Sequence, residues 1–209
     1  MDRPGFEEVL FSLRAMRRLK PDPVPEQDLR FIVEAATQAA TGENRQRWGF
    51  VVVTDAELRR RVAEVYLEIA TSRVRPSAEG ETAATDPAEL KVYRNAWRFA
   101  QRIDRVPALI VCCARGPRPD DVTWTSTYYG SLYPAVQNLM LAARYRGLGT
   151  VLTTLHLIEE PRIKRILEIP DEMNTEAIIP VGYPEGRFAR PLRAPAAEVT
   201  HWERWGQHR

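Results

Sequence analysis

"YYGSLYPAVQNLMLAARYRGLGTVLTTLHL", residues 128–157, is the stretch on which the fold turns. Leu132, Val136, Leu139, Met140 and Ala143 recur at the spacing of one helical face, which predicts a helix over 131–146. Gly147 stands where a helix end favours a residue free to turn left-handed. Pro134 then falls in the first turn, where the N–H it lacks has no intrahelical acceptor. After the glycines, "TVLTTL" (150–155) is β-branched and short, the mark of a strand. The order helix, glycine, strand has a consequence for Gly147-Leu148-Gly149. A dinucleotide-binding G-x-G needs the strand first and the helix second, so this match is spurious.

Working outward, the same periodicities alternate along the chain. Residues 6–15 predict a short helix, broken by Pro21 and Pro23, and "VPEQDLRFIVEAATQAA" (24–40) carries Leu29, Ile32, Val33 and Ala36 at helical spacing. "FVVVT" (50–54) predicts a strand and "DAELRRRVAEVYLEIA" (55–70) a helix. "TSRVRPSAEGETAATDP" (71–87) loses the apolar period and predicts an exposed, mobile connection. A helix over 88–104, a strand over 107–114, a helix in "EEPRIKRILEI" (159–169) and a strand in "TEAIIPVGYP" (175–184) complete the pattern. Strands separated by helices imply one domain, a sheet covered by helices. Residues 187–209, rich in Pro, Arg and Trp, read as an extension. Trp202 and Trp205 there need a surface to cover, such as that of another subunit.

Composition excludes several functions. The 209 residues carry a formal net charge of +2, too mild a basic balance to argue for nucleic acid. No apolar run approaches the roughly 20 residues of a membrane helix, and the acidic start "MDRPGFEEVLFSLRAM" does not read as a secretory signal. Cys112 and Cys113 lie in the apolar run "ALIVCCA", as buried and inert thiols, which fits a cytoplasmic protein. His156, His201 and His208 have no metal-ligand spacing, so no metal site is expected. Ser131 lacks an obvious base, and no G-x-S-x-G elbow is present.

Against the near-neutral total, Arg14, Arg17, Arg18 and Lys20 fall within seven positions of "LRAMRRLKP" (13–21). This is either a solvated helix end or an anion site. A phosphate monoester, close to doubly charged near neutral pH, would take bidentate bonds from guanidinium groups. Arg14 and Arg17, three apart, could share one side of a helical turn. In "ATGENRQRWGFVVV" (40–53), Thr41, Asn44 and Gln46 place polar groups just before a strand, as turn and capping residues or as ligand contacts. Gln137 and Asn138 are either exposed helix positions or further contacts, and Trp48 reads as core.

Together these stretches resemble the nitroreductase family. Its opening motif, R-R-S-x-R-x-F, appears as Leu13-Arg14-Ala15-Met16-Arg17-Arg18-Leu19, with Leu13 for an arginine and Ala15 for a serine. Its A-P-S-x-x-N-x-Q-P-W-x-F motif appears at 39–50 with Arg47 in place of proline. The helix–G-L-G–strand segment matches at 139–154, and "PVGYPEG…RPLRAP" (180–195) resembles the family's close. The resemblance implies an α+β fold with a mixed central sheet. It also implies an intertwined homodimer, joined through the 131–146 helix, with 187–209 packing on the partner.

It further implies FMN, with Arg14, Ala15, Arg17, Arg18 and Arg193 at the phosphate end and Thr41, Asn44 and Gln46 contacting the flavin. Thr153, Thr154 and Leu155 would run beside the isoalloxazine, a backbone N–H aimed at its N5. NADH or NADPH would be the electron donor and an electron-poor small molecule, a nitroaromatic or quinone, the acceptor. No side chain is nominated as catalytic. Alternatives within the resemblance are enone reduction, dehalogenation, flavin fragmentation, or a flavin-binding dimer without turnover. Neither nucleic acid nor a membrane is an expected partner.

Overall fold

The computed structural model describes residues 4–81 and 86–209. The N-terminal reading and the 71–87 connection therefore fall partly outside the described residues, at 1–3 and 82–85.

The architecture is α+β. Strands β1 (Trp48–Val53), β2 (Ala108–Arg115), β3 (Gly149–Thr150) and β4 (Met173–Gly182) form a sheet of order β1-β2-β4-β3. Every ladder is antiparallel. Among the described residues the parallel part of the sheet is one isolated bridge, Ala15 to Thr150. Strand β2 is buried from Ala108 to Ala114 because both its faces are covered. Side chains alternate across a strand. Leu109, Val111 and Cys113 accordingly enter one core, while Ala108, Ile110 and Cys112 enter the other.

The first core lies under α3 (Ala56–Arg73), α5 (Pro87–Ala100) and α7 (Glu160–Leu167), which contribute Val62, Tyr66, Ile69, Phe99 and Ile163. The second lies under α2 (Glu26–Ala36) and α6 (Val122–Tyr145), which contribute Leu29, Ile32, Leu132, Val136 and Leu139. The apolar face of the 131–146 segment is thus buried inside its own chain, not left for a partner. Two short helices, α4 (Arg75–Glu79) and α8 (Ala196–Val199), and an N-terminal one, α1 (Phe6–Ser12), complete the set.

Four local expectations change. Helix α1 stops at Ser12, and residues 13–20 run extended: Met16 N–H donates to the Thr150 carbonyl at 2.8 Å and Lys20 N–H to the Tyr183 carbonyl at 2.8 Å. Pairing with the free edge of the sheet overrides local helix propensity there. Helix α6 begins nine residues before 131, where Asp121 Oδ1 accepts the N–H groups of Thr123 and Trp124. Pro134 is therefore mid-helix and forfeits the bond to the Gly130 carbonyl. The 71–87 segment is largely helical: α3 reaches Arg73, α4 buries Ala78, and Gly80 closes α4 at φ +81°. The "TVLTTL" strand shrinks to Gly149–Thr150 plus a bridge from Thr153 to Ile178.

Candidate cofactor site

A cleft of about 270 Å³ opens where the extended 13–20 segment, the β3 exit and helices α3 and α5 meet. Arg17, Tyr66, Phe99, Val151, Thr153, Thr154 and Leu155 are among its lining residues. Phe99 meets Tyr66 edge to face, ring centroids 6.1 Å apart. Tyr66 in turn places its hydroxyl 2.8 Å from Thr153 Oγ1. Burial raises the Tyr66 pKa; the Thr153 hydrogen bond and the Arg17 charge lower it in part. Arg17 is half-buried, and no hydrogen bond or ion pair among the described residues uses its guanidinium. A half-buried cation without a protein counter-charge, at the mouth of an aromatic-floored cleft, is an anion-binding arrangement. The Thr154 backbone N–H is likewise unclaimed by any hydrogen bond among the described residues.

The remaining candidates divide. Ala15 bridges to Thr150, just before the cleft strand. Arg14 is exposed and donates to the Arg187 carbonyl at 3.1 Å. Arg18 is exposed beside the 185–186 turn, where its carbonyl accepts Glu185 N–H. The chain here is extended, so the shared helical face expected for Arg14 and Arg17 does not exist. Arg193 is exposed, and among the described residues its guanidinium donates only to its neighbour, the Leu192 carbonyl. Gln137 is exposed and Asn138 half-buried on α6.

Thr41 and Gln46 line a different cleft, of about 410 Å³, between the 41–48 turn, the 117–121 loop and the first turns of α6. Asn44 belongs to the same turn. The turn is closed by its own polar groups: Thr41 Oγ1 accepts Gln46 N–H at 3.2 Å and Asn44 Oδ1 accepts from Gln46 Nε2 at 3.0 Å. Glu43, Asn44 and Gln46 all have positive φ, at 55°, 54° and 48°. Holding three non-glycine residues left-handed costs free energy that the surroundings must repay. Gly42 does part of this by pressing on α6, where its N–H donates to Ser131 Oγ at 3.0 Å.

A polar network absent from the sequence reading lies against the wall of this second cleft. Arg118 donates to both Glu160 oxygens at 2.9 and 3.1 Å and to Glu176 Oε1 at 2.8 Å. Glu176 is buried, and Tyr128 O–H, on the second cleft's wall, also donates to it at 2.8 Å. Burial raises the Glu160 pKa, but Arg118 and the Thr175 N–H outweigh it and hold the carboxyl below its usual range. The two thiols are inert by environment: burial pushes Cys113 up to about 12 and Cys112 higher still. Among the described residues no His/Cys/Asp/Glu cluster could hold a metal ion, and no helix is long and apolar enough to cross a membrane.

Residues 12–183 match the model of the nitroreductase family. An iodotyrosine deiodinase from Thermotoga neapolitana is 29% identical over 178 residues, 82% of this chain and 84% of that one. An NADH dehydrogenase from Thermus thermophilus is 30% identical over 198 residues, 90% of this chain and 91% of that one. Among solved structures, oxidized iodotyrosine deiodinase bound to FMN and 3-iodo-L-tyrosine superimposes with a TM-score of 0.73 at 22% identity. That match covers 90% of this chain and 95% of the other.

Proposed function

This chain belongs to the nitroreductase family, and from that premise we propose that it is an FMN-dependent oxidoreductase, using NADH or NADPH to reduce an electron-poor small molecule such as a nitroaromatic or quinone. The observation that carries the reading is Arg17, half-buried and without a partner among the described residues, at the mouth of the Thr153–Leu155 cleft. The residues present fit FMN: a cation that has no partner among the described residues for phosphate, an aromatic floor for a planar ring, and at Thr154 a backbone N–H that none of the described residues claims, for a ring acceptor.

When bound, FMN would supply the redox chemistry that links a nicotinamide donor to the acceptor. The chain supplies position and electrostatics. Arg17, with Arg14 and Arg18 nearby in sequence, holds the phosphate by charge-assisted bonds. Phe99 and Val151, both buried, keep water from the cleft floor. The Thr154 N–H offers a fixed dipole to charge that develops above it. No side chain is assigned as an acid or base.

A single chain keeps Arg17 and the 41–46 turn on separate clefts. The reading therefore includes a symmetric homodimer in which the turn of one copy completes the cleft of the other. Exposed apolar groups suit it: Phe6 and Leu10 on α1, and Leu192 and Trp205 in the tail, with Trp205 89% exposed. A second reading, reductive dehalogenation, is favoured by the likeness to the Thermotoga deiodinase over most of both chains. Steady-state NAD(P)H oxidation with a quinone, beside iodide release from 3-iodo-L-tyrosine under a chemical reductant, separates the two. Fast quinone turnover without iodide is expected. Iodide release without quinone turnover would replace the first reading by the second, and neither activity would leave a flavin-binding dimer.

A further inference from the structure

Helix α3 presents Val62, Val65 and Ile69 to the first core, yet places a tyrosine among them at 66. Its phenol lies against Thr153 Oγ1, and it has no other hydrogen-bond partner among the described residues. Thr153 is fixed by its backbone: its N–H donates to the Ile178 carbonyl at 3.0 Å, and its own carbonyl accepts Ile178 N–H at 2.9 Å. What remains is the direction of one hydrogen bond between two hydroxyls.

Two arrangements exist. If Thr153 donates, the Tyr66 hydrogen is left without an acceptor at a residue only 5% exposed, which costs free energy. If Tyr66 donates, its hydroxyl is satisfied, and Thr153 Oγ1 accepts it together with a long contact from Leu155 N–H at 3.4 Å. Both acceptor positions of Oγ1 are then used, so the threonine can only donate outward. It lines the cleft and is half-exposed there, within reach of an acceptor. The phenol is also the stronger acid of the two hydroxyls, which favours the same direction.

We propose that Tyr66 is a positioning residue: its buried hydroxyl fixes the Thr153 hydroxyl as a hydrogen-bond donor into the cleft, where it meets an acceptor atom on the flavin ring. This rests on the FMN reading above and adds to it a chemical requirement, an acceptor on the ligand face nearest Thr153. The Tyr66 ring lines the cleft and is kept in Tyr66→Phe; it is the hydroxyl, engaged by Thr153, that acts indirectly. It removes the alternative orientations of the Thr153 hydroxyl, which meets the ligand.

The test is titration of flavin-stripped protein with FMN, followed by flavin fluorescence, for wild type, Tyr66→Phe, Thr153→Val, the double variant and Thr153→Ser. Tyr66→Phe is expected to raise the FMN dissociation constant about 2- to 10-fold, in line with loss of one oriented hydrogen bond. Thr153→Val should do so at least as much. The double variant should match Thr153→Val alone, because the tyrosine acts only through the threonine hydroxyl. Thr153→Ser should bind as wild type. A Tyr66→Phe effect that persists in full on the Thr153→Val background would mean packing only, and would overturn the proposal. So would unchanged binding in Tyr66→Phe. If thermal unfolding shows that Tyr66→Phe does not fold, Thr153→Val decides, and wild-type affinity there overturns it. Wild-type protein that takes up no FMN would remove the FMN reading itself, an outcome distinct from all of these.

Discussion

His156 makes stability depend on pH in a window where few other groups titrate. It lies in the 3₁₀ turn Leu155–Glu159 behind the cofactor cleft, has no exposed surface, and neither ring nitrogen makes a hydrogen bond within ordinary limits. Burial pushes its pKa down from 6.5 to about 4; Glu160 and the Thr175 backbone favour the charged form and the Arg118 charge opposes it, but burial prevails. The folded value lies below the unfolded one. The stability from keeping this ring neutral is therefore fully present above about pH 6.5 and is lost as pH falls through 4. The gap between 6.5 and about 4, at about 1.4 kcal/mol per pH unit, amounts to about 3 kcal/mol, of which about 2 kcal/mol is gone by pH 5. For a domain stable by some 5–15 kcal/mol that is a large share. Urea unfolding followed by tryptophan fluorescence, at half-unit steps from pH 7.5 to 4.5, reads it directly. His156→Leu, of similar bulk and without a titrating group, should lose about 2–3 kcal/mol less than wild type over that range. Parallel pH profiles for the two proteins would refute the reasoning.

Gly42→Ala would place a Cβ 2.5 Å from Thr127 Cγ2, so it should destabilise by about 1–3 kcal/mol; adding Thr127→Ser should recover most of this in thermal unfolding, and no recovery would mean the clash is not the cause. Arg118→Met strands the buried Glu176 carboxylate and should cost about 3 kcal/mol in urea unfolding, the low end for a broken buried pair because Arg118 is itself 36% exposed. Adding Glu176→Gln should restore at least half, and a fully additive double variant would deny the coupling. Arg17→Ala should weaken FMN binding by about 1.5–3 kcal/mol and Arg18→Ala by less than about 0.5 kcal/mol, measured by fluorescence titration; equal small losses would make the cation cluster a solvated surface.

Where local pattern and tertiary context agree, the fold was legible. The unbroken apolar run around Cys112 is a strand buried on both faces, and Gly147, at φ +76°, ends α6 where its glycine suggested. Where they disagree, the chain followed context. Residues 13–20 contain good helix formers but exchange backbone bonds with Thr150 and Tyr183, partners more than a hundred residues away. The first turns of α6 are Thr- and Ser-rich and carry no apolar stripe, so only the capping Asp121 marked the true start. The candidate site was legible in part. Arg17 and the 153–155 segment, named from the resemblance, line one cleft. Tyr66 was hidden because its spacing on α3 is that of a core residue. Arg118, Glu160 and Glu176 were hidden because nothing local pairs a loop arginine with a strand glutamate 58 positions on.

The claim at the centre is that one FMN is bound per chain at a site completed by a second chain. Sedimentation velocity of FMN-reconstituted protein, monitored at the flavin's visible absorbance, tests both halves in one run. A shared site predicts that the flavin moves as a single boundary with the mass of two 23.9 kDa chains. Flavin that stays behind as free small molecule, or that travels with a single chain, would contradict it.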